Sequence, residues 1–189
     1  MNVNRLFLHS LIICVQIRYK LNKNLVWDCY ATPQVKVMCL SVPEISMVDG
    51  YSISDDKNKL DIRVIHHFLS HSYWAKNIPI ETVQRSIDNS FCVGIYDISG
   101  AQVAFARVIT DFATFAYLGD VFVVEHHRNK GLSKWLVKFI VEHPLLQGLR
   151  RLLLVTADAH GLYQQFGFQP ITQSENYLSI HNPNIYLNI

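Results

Sequence analysis

Glycine and proline are scarce in this chain, at 8 and 6 of 189 residues. That scarcity excludes a fibrous repeat and a protein built mainly of flexible linkers. Charge is also thin: 17% of residues are Asp, Glu, Lys or Arg, with 17 basic side chains against 15 acidic ones. The basic residues are spread out and form no block, so electrostatic capture of nucleic acid is disfavoured and no nucleic-acid partner is expected. Long apolar runs are missing as well. Leu6–Ile17 is a twelve-residue stretch interrupted by His9 and Gln16. It is too short for a spanning helix of about 20 residues and lacks a small-residue cleavage site after it, so neither anchor nor signal peptide is expected. Cysteine is limited to four residues. Cys14, Cys29 and Cys39 fit neither a CxxC site nor a disulfide framework, and Cys92 stands alone in an apolar stretch. This usage points to a reducing, cytoplasmic setting.

What is abundant is apolar residues, 50% in the set AVILMFWYC, enough for a packed core and too many for a disordered tail. They are not evenly framed. Residues 1–45 carry five Lys or Arg against Asp28 and Glu44, whereas 46–189 carry twelve against thirteen acidic residues. Three of the cysteines also fall in the first part. We therefore read 1–46 as an extension outside the working domain and 47–189 as that domain, with Met47 its natural start.

From Met47 onward the patterns become regular. Tyr51 and Ile53 alternate with serines as in a short strand, and Asp55–Asn58 makes a polar turn. Leu60, Val64, Ile65 and Phe68 recur at helical spacing, which predicts an amphipathic helix over 59–70. Pro79 at a first turn, with Val83 and Ile87 four apart, predicts a second helix ending near Asn89. Phe91–Asp97 and Gln102–Thr110 read as strands joined through Ile98-Ser99-Gly100, a hairpin signal. Ala116–Val124 reads as a third strand and Leu152–Thr156 as a later one.

The chemistry concentrates after Val124. A buried strand runs into the basic loop Glu125–Lys130, and Gly131 opens a helix whose apolar face is Leu132, Trp135, Leu136, Phe139 and Ile140. A first helical turn offers unpaired N–H groups and a partial positive charge, to which Arg128 and Lys130 add full ones. Such a site attracts phosphate or pyrophosphate, although the spacing alone fits a solvated loop equally well. Neither GxxxxGK[ST] nor GxGxxG occurs, which removes support for nucleoside-triphosphate and dinucleotide readings.

Two runs carry a family resemblance. Arg128-Asn129-Lys130-Gly131-Leu132-Ser133 resembles the R/Q-x-x-G-x-G/A pyrophosphate motif of the GNAT superfamily of N-acetyltransferases. Ala159-His160-Gly161-Leu162-Tyr163, ending in Gly167-Phe168, is similar to that family's A-x-x-L-Y-x-x-x-G-F segment. They occur in the family's order and separation, and the resemblance spans roughly Tyr51 to Tyr186. Ser72-Tyr73-Trp74 and Ile78-Pro79 look most like a group of small bacterial members. Three positions depart from the pattern: Ser133 stands for Gly or Ala, Asn129 for a frequent glycine, and Thr156 for a frequent asparagine.

The resemblance implies an α/β fold with a mixed, largely antiparallel sheet flanked by helices, its fourth and fifth strands splayed to admit acetyl-CoA. It implies transfer of an acetyl group to a primary amine of a small molecule or peptide. Backbone groups of Val121, Phe122 and Val123 would clamp the donor's arm, and Arg128 to Ser133 its pyrophosphate. Tyr163 falls where the family keeps a tyrosine near the sulfur, a phenol able to protonate a departing thiolate. Asp120, a carboxylate in an apolar strand, is the candidate base, with an ion pair to Arg107 as the alternative reading. Glu125, His126 and His127 are runners-up. Tyr73, Trp74 and Tyr117 are the candidate acceptor-binding residues, and His71 could share their pocket.

Other groups fall away on geometry. The adjacent pairs His66-His67 and His126-His127 point their rings apart, so no metal is expected. Two other functions stay open: an acyl-CoA sensor without turnover, and a transferase for another acyl-CoA. The final apolar segments, Tyr177–Ile180 and 185–189, are expected as an edge strand able to pair with a second copy.

Overall fold

The computed structural model describes residues 48–187. The extension read at 1–46, with its three cysteines and its apolar run, lies outside the described residues, as do Met47, Asn188 and Ile189.

A five-stranded sheet, in the order β1-β2-β3-β4-β5, organises the rest. Its strands are β1 (Tyr51–Ser54), β2 (Phe91–Asp97), β3 (Gln102–Thr110), β4 (Phe115–Val123) and β5 (Arg151–Leu154). Neighbours are antiparallel except β4 and β5, which run parallel. Four helices complete it: α1 (Ile62–His71), α2 (Ile80–Asp88), α3 (Leu132–Val141) and α4 (His160–Gln164). The mixed sheet flanked by helices is the fold class implied by the sequence.

Local chemistry sets the element ends. The first helix starts at Ile62, later than the spacing predicts, because the Asp61 carboxylate caps it by accepting from the Arg63 and Val64 amides. Lys57–Lys59 ahead of it is instead a 3-10 turn. The β2–β3 hairpin closes on Asp97, whose carboxylate accepts from the Ser99 and Ala101 amides. In α3, Leu132, Trp135, Leu136, Val137, Phe139 and Ile140 are buried against one face of the sheet. At about 1.5–3 kcal/mol for each fully buried side chain of this size, that face alone anchors the helix. The opposite face carries α1 and α2 through Ile65, Leu69, Val83 and Ile87, packed with Cys92, Phe105 and Phe122.

Two irregularities of β4 matter more than its length. Phe105 pairs with Phe122, yet Arg107 pairs with Gly119, so two residues of β4, Asp120 and Val121, face Ala106 alone. This is a β-bulge, and Asp120 takes the left-handed conformation there, φ 53°. The extra residue inverts the side-chain phase. Ala116 and Leu118 face α3 before the bulge, Val123 faces it afterwards, and Phe122 turns to the α1 face. The second irregularity is that β5 pairs with β4 only from Phe115↔Arg151 to Leu118↔Leu154. Beyond that point β4 continues beside β3 alone. β5 therefore ends at Leu154, short of the expected Thr156.

The expected C-terminal edge strand does not form within this chain. Tyr177–Ile180 enters no ladder and Leu178 and Ile180 are fully exposed, which leaves β5 as one of the sheet's two edges, opposite β1, among the described residues.

Candidate active site

The gap between β4 and β5 opens where the bulge lies, and the alternation of an antiparallel ladder determines which backbone groups face it. The Val124 amide donates to the Val103 carbonyl across β3, 2.8 Å away. Two residues back, Phe122 points the same way. Val123 points the other way, and its carbonyl accepts from Arg128 Nε at 3.2 Å. Val121 shares that direction. Of Val121, Phe122 and Val123, the residues expected as a clamp, the first and last turn their backbone groups away from β3 and Phe122 turns its own toward it. Phe122 supplies a ring, stacked on Phe68 with centroids 4.0 Å apart.

The loop after β4 ends in an uncapped helix. Gly131, φ 80°, precedes α3 and no side chain caps the first turn. The first intrahelical bond runs from the Trp135 amide to the Gly131 carbonyl, so the Leu132, Ser133 and Lys134 amides have no carbonyl within the helix. Asn129 is also left-handed, φ 63°, a conformation open to Asn and Gly and costly for most residues, which accounts for Asn as the substitute for the frequent glycine. Left-handed residues near a helix start turn successive amides toward one concavity, a geometry suited to anions.

The two loop cations are held by the protein. Arg128 reaches back to Val123, while Lys130 Nζ donates to the Tyr51 hydroxyl at 3.0 Å and lies over that ring. The Tyr51 hydroxyl also meets His127 Nδ1 at 2.9 Å. This clasp from β1 to the loop was invisible in the sequence, because Tyr51 and Lys130 are 79 positions apart. His126 and Glu125 are exposed in the 3-10 turn ahead of Arg128.

Across the gap, α4 presents Tyr163, 8% exposed and packed edge-on against Phe168. Burial pushes its phenol up to about 12, and Asp158 and the phenols of Tyr73 and Tyr117 add to the shift. Those phenols are therefore within electrostatic reach of Tyr163. Thr156 has a structural use: its hydroxyl accepts from the Ala159 amide at 3.1 Å and turns the chain into α4.

Asp120 is the most heavily engaged of the expected residues. Its Oδ2 accepts from Arg107 Nε at 2.7 Å and its Oδ1 from Trp74 Nε1 at 3.2 Å. The pair is mostly buried, with side chains 17% and 13% exposed, and Arg107 also donates to the Ser90 hydroxyl. Tyr117 lies on the same face, its phenol raised first by burial and next by Asp120. Tyr73 and Trp74 sit edge to face in the α1–α2 loop, 4.9 Å between ring centroids. His71 turns instead to the His67 carbonyl.

A groove of about 700 Å³ lies apart from this gap. It is lined by Leu152, Leu154, Phe166 and Phe168 and contains no β4 residue, so it follows the outer side of β5 and meets the site only at Thr156 and Tyr163. The histidine pairs are dispersed: His66 binds the Ile78 carbonyl and His127 binds Tyr51.

A mixed sheet that opens between two parallel strands, with an uncapped helix at the mouth of the opening, is the framework of an acyltransferase. Comparison with known proteins agrees. A model of the GNAT acetyltransferase domain matches residues 88–170. A Gibberella zeae protein classed by inference as an acetyltransferase is 30% identical over 135 residues, 60% of this chain and 75% of its own. A GNAT-family protein of Xanthomonas campestris pv. campestris, known from its crystal structure, is 51% identical with a TM-score of 0.70, covering 72% of this chain and 96% of its own. A GNAT acetyltransferase of Elizabethkingia anophelis, solved with acetyl-CoA bound, shares the fold at 14% identity and a TM-score of 0.50, over 64% of this chain and 77% of its own. The chain belongs to the GNAT acetyltransferase family and is an acyltransferase.

Proposed function

We propose that the protein moves an acetyl group from acetyl-CoA to a primary amine of a small molecule or peptide by direct attack. The observation that carries this reading is the parting of β4 from β5 after Leu118↔Leu154, beside the uncapped start of α3. The gap admits a thioester arm, and the free amides from Leu132 to Lys134 receive its diphosphate. Arg128, Asn129 and Lys130 flank those amides, and Leu132 anchors the first turn in the core. Val121 and Val123 hold the arm by backbone hydrogen bonds, and the Val121 amide is placed to polarise the thioester carbonyl.

The amine attacks that carbonyl, and the carbon–sulfur bond breaks. Attack makes the nitrogen acidic, and its proton passes toward Asp120, whose Oδ1 keeps a free lone pair beside Trp74. Tyr163 donates to the departing sulfur. A phenol at about 12 lies well above a thiol near ~8.5, so outright transfer is uphill. Tyr163 therefore acts by hydrogen-bonding the sulfur as charge develops and keeps its proton; the thiolate departs and is protonated from solvent, while Asp120 passes the amine's proton on to solvent. A covalent route through Cys92 lacks support, since it is 1% exposed and burial pushes its thiol up to about 11.

The setting we propose is cytoplasmic, in keeping with Cys92 as a buried free thiol. No helix among the described residues is long and apolar enough to cross a membrane. The test is thermal unfolding with and without acetyl-CoA, followed by thiol release over an amine panel. A donor that binds the folded state alone must raise the midpoint. An unmoved midpoint at millimolar acetyl-CoA ends the proposal, and a larger shift with a longer acyl-CoA changes the donor.

A further inference from the structure

We infer that the acceptor is an amine carried on a flat aromatic body and free of a carboxylate, with Trp74 as the residue that sets this preference. The inference rests on the transferase reading above and adds the class of its second substrate.

The charges around Asp120 come first. Its carboxylate is matched by Arg107 at 2.7 Å, and Arg107 is further tied to Ser90, so the pair is balanced in charge. An amino acid would bring its own carboxylate toward that bound carboxylate, whose charge already matches that of Arg107. A polyamine would bring several positive charges to a carboxylate whose charge is already balanced. An amine with no other ionised group meets neither obstacle, and Asp120 Oδ1 can receive its N–H.

The surface beside that oxygen is aromatic. Tyr73 is 66% exposed and Trp74 43%, an unusual display for two adjacent large rings. Behind them Phe68 lies 6.3 Å from Trp74 and stacks on Phe122 of β4, while Tyr117 stands on the same sheet face as Asp120. Rings at such separations bind a further ring by offset or edge contacts in addition to its burial. The Trp74 N–H is directed at Asp120 Oδ1 from 3.2 Å, long for a hydrogen bond to a carboxylate. That single bond holds the indole beside the oxygen that would receive the amine's N–H, so an aromatic body on the amine would meet the Tyr73 and Trp74 rings.

Acceptor kinetics by thiol release at saturating acetyl-CoA test this with phenethylamine, phenylalanine and spermidine. Phenethylamine is expected to exceed the other two in kcat/KM by about tenfold or more. Trp74→Ala is expected to raise the KM for phenethylamine about tenfold while leaving the KM for acetyl-CoA unchanged, and Trp74→Phe to recover part of the loss. Equal or faster turnover of phenylalanine or spermidine, or a Trp74→Ala effect on acetyl-CoA alone, overturns the inference and leaves the transferase reading standing. Absence of thiol release with every amine, together with no acetyl-CoA shift in the unfolding midpoint, removes both.

Discussion

At the residue scale, Tyr163 and Asp120 carry different kinds of demand. Tyr163 needs its hydroxyl and little else, since its ring is fixed by burial among Phe168 and the α3 core. Tyr163→Phe should therefore fold normally, keep its acetyl-CoA shift in melting temperature, and lose about 10²-fold or more in kcat. An unchanged kcat removes Tyr163 from the chemistry. Because the phenol sits at about 12, it stays protonated while an alkylamine near ~10.4 is being deprotonated. The rate should then climb about tenfold per unit between pH 6 and 9 with no descending limb in that range, as initial-rate profiles will show. Asp120 has a conformational demand as well as an electrostatic one, since φ 53° suits Asn and Asp and strains most other residues. Asp120→Asn keeps that tolerance and one acceptor, whereas Asp120→Ala strands Arg107 and strains the bulge. Urea melts should place the alanine variant about 1–2 kcal/mol below the asparagine variant. Equal stabilities would mean that neither strain nor the Arg107 partner matters.

At the scale of elements, what could be read in advance was what is local. The α3 face, the Asp97 hairpin and the loop from Arg128 to Ser133 each carry their signal within ten or so residues, and the structure has them. The gap itself was reached by resemblance, and its cause, the bulge at Asp120, left no trace. Leu118, Val121, Phe122 and Val123 are apolar on both faces of a buried strand, so inserting one residue changes no visible alternation. For the same reason the sequence does not show that the backbone groups of Phe122 turn to β3 and away from the gap. Likewise β5 loses its partner after Leu154 through divergence of two strands, and Tyr177–Ile180 has a strand's composition without a ladder. Pairing over such distances is decided by the sheet, not by the segment. The loop–helix junction permits a sharper test. A Cβ at Gly131 would meet nothing within 4 Å, so Gly131→Ala is opposed by its φ of 80° alone. It should cost about 1–2 kcal/mol in stability. It should also weaken acetyl-CoA by about tenfold in calorimetry as the first-turn amides shift. Unaltered affinity would detach the diphosphate from this turn.

For the whole molecule, the notable balance is one of protons. Burial raises Cys92 to about 11 and Tyr96 and Tyr163 to about 12, and it raises Tyr117 in the same direction. In the unfolded chain these groups ionise near ~8.5 for a thiol and ~10 for a phenol. Between the ordinary and the raised values the folded protein holds more protons than the unfolded one, so stability must fall as pH rises. Their contribution is whole below about pH 8.5 and is lost progressively toward 12. The melting temperature should accordingly decline from about pH 9 upward, before any active-site group titrates. Tyr96 isolates the cause. It is 5% exposed, its hydroxyl has no hydrogen-bond partner among the described residues, and it lies over Gly94 of the same strand, β2. Tyr96→Phe removes both an orphaned polar atom and one of the titrations. It should be more stable by about 1 kcal/mol at pH 7 and show a shallower alkaline decline by calorimetry. A wild-type midpoint level through pH 10.5, or a Tyr96→Phe variant less stable at neutral pH, would place the alkaline limit outside these buried groups.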